Sequence, residues 1–353
     1  MAAKKASSPP PAAPARKGRA ARPARSRVRI ALVGAGGMAT SVHYPSLRSF
    51  ADVDIVGVCE QSRDRLDSAG ERFAVPADCR FHCPGPTDYQ AVLRELQPDG
   101  VYVIGPPNLM YPLWVWCLQA GHNLYIEKPM GLSLHQAQML AHLAAEKQLI
   151  TQVSHQRRTV PLYQKMREEL LRKGPITHGV VEFYKCAMNP MLDARDHMMD
   201  DGTHAVDTAR WICGGEVVDV VGHCKRIGVP DINWIGAMLH FDNGSTCFVI
   251  CSWASGRRVF RVQMHAPGGY TDAEIEKDAH LYLDGDYQGK HCTTQEAAGS
   301  SENYILGGFR AKNREFIDSL KTGKDVCSSP FRDTVKTMEV CEAILAQAVL
   351  NGE

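Results

Sequence analysis

A lysine set between a glutamate and a proline, Glu127-Lys128-Pro129, closes the short apolar run Asn123–Ile126. At the carboxyl end of a parallel strand it would stand where open α/β sheets bind their ligands. Further along, Asp200 and His204 are four positions apart at the head of a helical stretch, Asp200–Trp211. That spacing puts both side chains on one helix face. A histidine titrates near neutrality and can take a proton from a hydroxyl, and a carboxylate beside it can orient the ring or bind substrate. A plainer account stays equally open on these residues alone: a capping aspartate beside a satisfied core histidine. Asp201 competes for the cap, and Asp207 falls one turn beyond His204.

These groups need a cofactor and a frame. Gly34-Ala35-Gly36-Gly37-Met38-Ala39 fits GxGxxA directly after the apolar run Val28–Val33. The first glycine makes the turn, the second lets backbone approach a pyrophosphate, and Ala39 lets helix pack on strand, with the helix N-terminus facing the phosphates. Gly34, Gly36, Gly37 and Met38 are therefore candidate cofactor contacts. Glu60 ends the next apolar run, Val53–Val58, and a carboxylate there can bind the ribose hydroxyls of NAD. Arg63 close by could accept a 2′-phosphate, which leaves NADP open beside NAD. Gly105-Pro106-Pro107-Asn108 follows Val101–Ile104 as a rigid turn at the same edge, adding Pro107 and Asn108 to the cofactor set with Glu127 and Lys128.

Strands at Val28–Val33, Val53–Val58, Val101–Ile104, Asn123–Ile126 and Leu149–Val153 alternate with helices at Gly37–Phe50, Leu109–Ala120 and Leu134–Glu146. This predicts crossover units and a parallel sheet. After Ser154 a charged helix, Leu162–Lys173, precedes apolar runs at Gly179–Lys185, Val217–Lys225, Ile232–Phe241, Ser245–Trp253 and Val259–His265. These read as a mostly antiparallel sheet, with Asp242-Asn243-Gly244 as a hairpin turn in which Asn and Gly supply positive φ. Two helices, Phe309–Lys321 and Arg332–Leu350, finish the chain. The fold class is thus α/β. Residues 28–154 form a dinucleotide-binding domain of Rossmann type. Residues 155–353 form a second α/β domain on the mostly antiparallel sheet.

A chain of 353 residues suits two domains. Lys4, Lys5, Arg16, Lys17, Arg19, Arg22, Arg25, Arg27 and Arg29 face no acidic residue within the first thirty positions, so the net charge of +1 conceals an acidic remainder. A mildly acidic body argues against nucleic-acid binding. Residues 1–27, rich in Ala and Pro, lack the large apolar groups a core needs and are expected to be disordered. No secretory h-region and no membrane-length apolar run occur. The twelve cysteines form no CxxC pair, Cys79–Cys83 lacks a second ligand pair for zinc, and no metal site is expected. Reduced thiols suit the cytoplasm.

Taken together, the glycine loop, Pro107-Asn108, Glu127-Lys128-Pro129 and Asp200-x-Gly202-x-His204-x-x-Asp207 resemble the Gfo/Idh/MocA family, named for glucose–fructose oxidoreductase, inositol dehydrogenase and rhizopine catabolism. The similarity extends over residues 28–350 and includes Asn313-Arg314-Glu315-Phe316 in the closing helices. It implies that residues 155–353 build an α/β domain for substrate binding and oligomerisation on a large open, mostly antiparallel sheet. It implies a nicotinamide cofactor, homo-oligomers (dimer or tetramer), and sugars, cyclitols or their derivatives as substrates. It implies proton transfer by Lys128 and His204 with Asp200 assisting. Two departures bear on substrate: Tyr111 stands where members often have histidine, and Asp196-His197-Met198-Met199 replaces a glycine-rich run. With Gln156 and Arg158 of the His155–Arg158 stretch, Tyr111, Asp196 and His197 complete the expected substrate contacts.

Three activities follow as expectations. The first is NAD(P)-dependent hydride transfer to or from a sugar or cyclitol carbon. The second is a redox-neutral glycosidase or lyase working by transient oxidation and elimination. The third is a cofactor-binding sensor without chemistry, which leaves Lys128, Asp200 and His204 unexplained.

Overall fold

The computed structural model describes residues 27–191 and 196–350. The basic tail expected over residues 1–27 lies outside them, apart from Arg27, which pairs with Asp54 at 3.1 Å.

Six parallel strands make the first sheet: β1 (Val28–Val33), β2 (Val53–Glu60), β3 (Arg80–His82), β4 (Gly100–Val103), β5 (Leu124–Ile126) and β6 (Thr151–Val153). Their spatial order is β3-β2-β1-β4-β5-β6, the doubly wound arrangement whose switch point lies between β1 and β4. β1 and β4 to β6 are almost wholly buried, as parallel strands covered by helices on both faces must be. β3 was not anticipated. The segment Cys79–Cys83 considered above as a weak zinc motif instead places Arg80–His82 as an edge strand beside β2.

The second sheet has eight strands: β7 (His178–Cys186), β8 (Val217–Lys225), β9 (Trp234–Phe241), β10 (Thr246–Ser252), β11 (Ala254–Ala266), β12 (Gly269–Glu274), β13 (Asp278–Leu283) and β14 (Lys290–Thr293). The order is β14-β13-β12-β11-β7-β10-β9-β8, with β7 and β10 parallel and every other neighbour antiparallel. Val181, Phe183, Cys247, Val249, Cys251, Val262 and Met264 alternate onto one face and are buried. Helices Thr203–Cys213 and Phe331–Leu350 cover that face. The β9–β10 turn differs from expectation. It is a four-residue loop in which only Gly244 takes positive φ, while the Asn243 side chain braces it by bonding Ser245 N, Ser245 Oγ and the Cys213 carbonyl.

The chain returns to the first sheet near its end. Helix Phe309–Thr322 packs Phe316 and Ile317 into a core shared with Ile30, Leu32, Tyr102 and Tyr125. The helix after the glycine loop contains a π-helical turn, Ala39–His43, before Tyr44–Arg48. It buries His43 between Glu127 Oε1 at 2.8 Å and Asn313 Oδ1 at 3.2 Å. Loop, β5 edge and closing helix are thereby fixed to one another. No helix among the described residues is long and apolar enough to cross a membrane.

Candidate active site

A cavity of about 1070 Å³ opens at the carboxyl edge of the first sheet and runs to the second. At one end lies the glycine loop. Gly34 has φ +106°, and a Cβ there would meet the Ile104 carbonyl oxygen at 2.1 Å, so only glycine lets β1 and β4 turn out so close together. A Cβ on Gly36 or Gly37 would meet nothing within 4 Å, which leaves bare backbone facing the cavity. Glu60 is buried below it. Its Oε2 accepts from Ala35 N at 2.7 Å, and its Oε1 accepts from Ser62 N at 2.9 Å and from Arg65 at 2.7 and 3.1 Å. Burial alone would raise its pKa. The donors outweigh that and hold the carboxyl below its usual range. A dinucleotide fits this end: open backbone for a pyrophosphate and a fixed carboxylate for a ribose.

At the other end Lys128 and Asp200 meet. Lys128 Nζ lies 3.1 Å from Asp200 Oδ1, 3.1 Å from the Asp200 carbonyl and 3.0 Å from Asp201 Oδ1. Asp201 also pairs with Lys185 at the end of β7. Burial opposes the Lys128 charge, but Asp201 and Asp200 outweigh it and hold the ammonium above the ordinary lysine range. Burial likewise acts against the Asp201 charge, and Lys128 and Lys185 overcome it to hold that carboxyl well below its usual range.

His204 lines the same cavity and is buried. Burial pushes its imidazole well below the ordinary histidine range, and the cations Lys128 and Arg157 push the same way. Its Nδ1 is sealed without a hydrogen-bond partner, so Nε2 is the nitrogen available to a ligand. The capping account fails on geometry: helix Thr203–Cys213 has no side-chain cap, and the Asp200 carboxylate binds Lys128. A π-helical turn, Met198–Gly202, explains the arrangement. It sends Met198 and Met199 into the core and presents Asp200 and Asp201 to the cavity.

The remaining expected residues divide. Met38, Pro107, Glu127 and Gln156 line the cavity. Arg63 does not; it is exposed at the start of its helix, and Arg65, two residues on, reaches Glu60. Asn108 is exposed and Tyr111 packs against the core, neither on the cavity wall. Asp196 and His197 also stay off that wall. Asp196 Oδ1 accepts from Met199 N at 2.8 Å, and the His197 ring stacks on Trp253 at 4.7 Å. Arg158 turns away into a bidentate pair with Asp207 at 2.8 and 2.6 Å, and its neighbour Arg157 faces the cavity instead. Asp201, Lys185, Arg157, Phe183 and Arg258 are wall residues that sequence reasoning missed. The alternation of β7 could have paired Phe183 with Lys185 on one face.

Residues 28–155 match the family model described as an oxidoreductase family with an NAD-binding Rossmann fold, and residues 188–270 match the Gfo/Idh/MocA C-terminal domain. The chain belongs to the Gfo/Idh/MocA family. This Gfo/Idh/MocA protein is an NAD(P)-dependent oxidoreductase with an NAD-binding Rossmann domain. It is 27% identical over 335 residues to YceM of Salmonella typhimurium, covering 92% of this chain and 96% of that one. A D-glucoside 3-dehydrogenase of Escherichia coli is 25% identical over 334 residues, covering 85% and 90%. In fold it is similar to a dehydrogenase from Chromobacterium violaceum, with a TM-score of 0.81, 18% identity, and coverage of 93% of this chain and 97% of that one.

Proposed function

We propose that this oxidoreductase acts on a hydroxyl or keto group of a sugar, cyclitol or sugar derivative, with Lys128, His204 and Asp200 as its catalytic residues. The observation that carries the reading is the meeting of a charged Lys128 and a neutral His204 on one wall of a cavity that the glycine loop also lines. The nicotinamide, when bound, supplies the hydride acceptor or donor. His204 Nε2 takes the hydroxyl proton as the alkoxide forms. Lys128, already held charged by Asp200 and Asp201, donates a hydrogen bond to the developing negative charge; a donor fixed in advance costs no reorganisation. Asp200 fixes the ammonium. Reduction runs the same path backwards. The sugar class draws support from the D-glucoside 3-dehydrogenase that aligns over 85% of this chain, and this also favours net hydride transfer over elimination.

The cofactor contacts in this reading are Gly34, Gly36, Gly37, Met38, Glu60, Pro107, Glu127 and Lys128, with NAD preferred over NADP because Glu60 would repel a 2′-phosphate. Residues 28–154 hold the cofactor and 155–353 the substrate, except that Phe309–Thr322 serves the first sheet. The open face of the second sheet serves homo-oligomerisation, which sizing in solution tests. The twelve free cysteines suit a cytoplasmic setting.

The deciding assay mixes purified full-length protein with NAD or NADP and a panel of polyols, sugars and glycosides. Substrate-dependent NAD(P)H formation is expected with at least one compound. Aglycone release without net NAD(P)H would replace the reading by elimination.

A further inference from the structure

The cavity beyond Lys128 and His204 is lined by four cationic side chains: Lys128, Arg157, Lys185 and Arg258. Three have carboxylates. Lys128 and Lys185 share Asp201, with Asp200 as a second acceptor for Lys128. Arg258 Nε lies 3.1 Å from Glu276.

Arg157 has none among the described residues. It is 5% exposed and lines the cavity, and its Nε is buried without a hydrogen-bond partner. Its guanidinium lies over the Phe260 ring, 4.3 Å from the centroid. That contact supports the plane of the group without neutralising it. The nearby groups that could do so are engaged elsewhere. The Tyr163 hydroxyl donates to the Phe260 carbonyl at 2.8 Å, Glu276 serves Arg258, and Asp201 stands between two lysines. Another carboxylate on the wall near Lys128, Glu127, is turned to His43 at 2.8 Å. The contrast with the adjacent residue is sharp. Arg158 has both Asp207 and Asp333 within 2.6 Å. A buried charge normally requires a partner, and here the open side of Arg157 faces the ligand space.

Resting on the oxidoreductase reading above, we propose that the substrate carries a carboxylate which Arg157 receives, with Lys185 and Arg258 flanking it, while the reacting hydroxyl meets Lys128 and His204. The substrate class is a sugar acid or polyol acid. A single unpaired guanidinium matches a carboxylate in charge and offers the planar fork that binds it in two-point fashion. The π face of Phe260 holds that fork in place.

The test uses the full-length protein saturated with NADH, titrated calorimetrically with D-gluconate and D-glucuronate, their neutral counterparts D-glucitol and D-glucose, and glucose 6-phosphate. Each acid is expected to bind at least tenfold more tightly than its neutral counterpart. Arg157→Gln should erase that preference, and Arg157→Lys should keep part of it. Equal binding within the pairs, no detectable binding of either acid, or an Arg157→Gln protein that retains the preference overturns the proposal. Tighter binding of glucose 6-phosphate than of glucuronate overturns the carboxylate in favour of a phosphate. NADH formation from neutral sugars alone removes the carboxylate assignment and leaves the oxidoreductase reading intact. Arg157-dependent binding of the acids, with no NAD(P)H from any polyol or sugar, does the reverse.

Discussion

The cavity wall and the layer directly behind it are built from the same residue types and pair most of their charges alike, but the wall leaves some of its polar atoms unmatched. Behind the wall, Asp207 takes two bonds from Arg158 and one from Thr337 at 3.0 Å, and Asp333 takes Arg158 at 2.6 Å and Arg210 at 3.0 Å. Every charge there is matched by geometry. On the wall, His204 Nδ1, Gln156 Oε1 and Arg157 Nε are buried without partners. Saturated polar groups specify and rigidify a fold, whereas unsatisfied ones carry a cost. The difference separates what positions the site from what works in it.

The most severe way to break this contrast is to open the layer behind. Arg158→Met leaves Asp207 buried beside Thr337 and His155, and removing one partner of such a pair costs about 3–5 kcal/mol. Denaturant unfolding should show that loss. Adding Asp207→Leu should restore much of it, since two apolar groups leave no stranded charge. An Arg158→Met protein as stable as the parent would mean that the pair is not the clamp described.

Lys128→Met should cost less stability, since Lys185 still holds Asp201, but lower turnover by about 10²- to 10³-fold, the usual cost of losing one donor to a developing oxyanion. NADH binding, followed by fluorescence titration, should persist. Unchanged turnover would remove Lys128 from the chemistry.

The first sheet was legible because its signals are local. Val28–Val33 followed by the glycine loop, and Asn123–Ile126 followed by Glu127-Lys128-Pro129, each join a buried strand to the loop at its carboxyl end, and short parallel strands read as continuous apolar runs. The outer strands β12, β13 and β14 escaped notice. Their sequences, such as Gly269–Glu274 and Lys290–Thr293, are short and rich in polar residues without a clean alternation, so pairing with neighbours rather than composition makes them strands. At the site, Lys128 and Asp200 were readable from the sequence, but Arg158 was expected at the cavity and Arg157 stands there instead. They sit in a 3-10 turn, Gln156–Thr159, where successive side chains diverge by about 120°. Which one meets the cavity depends on the frame. The same holds for Asp201, whose place on the wall comes from a π-helical turn that an i, i+4 reading does not contain.

His155 lies on the border between the two layers. Its Nδ1 is 3.8 Å from Asp207 Oδ2, its ring meets that of His204 edge-on at 6.0 Å, and neither nitrogen has a hydrogen bond. Burial pushes its pKa down to about 4, with Arg158 and Lys312 adding to it against Asp207 and Asp333. An unfolded histidine titrates near about 6.5. Between these values the unfolded chain binds the extra proton, so stability from a neutral His155 is complete above the unfolded value and is lost as pH falls toward 4. The slope is at most about 1.4 kcal/mol per pH unit. His155→Gln should flatten the pH dependence of unfolding in that window. Identical slopes in the two proteins would show that His155 does not sense the layer behind it.

The smallest effect tests the exception at the far end of the cavity. Glu60 lines the cavity yet is as saturated as any carboxylate behind it. Two of its donors are backbone N–H groups of Ala35 and Ser62, which a ribose would leave in place; Arg65 is more than half exposed and can swing away. An exposed ion pair of this kind contributes about 0–1 kcal/mol. Arg65→Ala should therefore change NADH affinity by less than about fivefold, the equilibrium factor that corresponds to 1 kcal/mol. Glu60→Gln removes the charge that would oppose a 2′-phosphate and leaves Arg65 free to meet one, so NADPH should gain on NADH in the same fluorescence titration. If Glu60→Gln leaves the ratio unmoved while Arg65→Ala shifts it, the arginine rather than the buried carboxylate reads the ribose, and saturation at this end marks a structural residue after all.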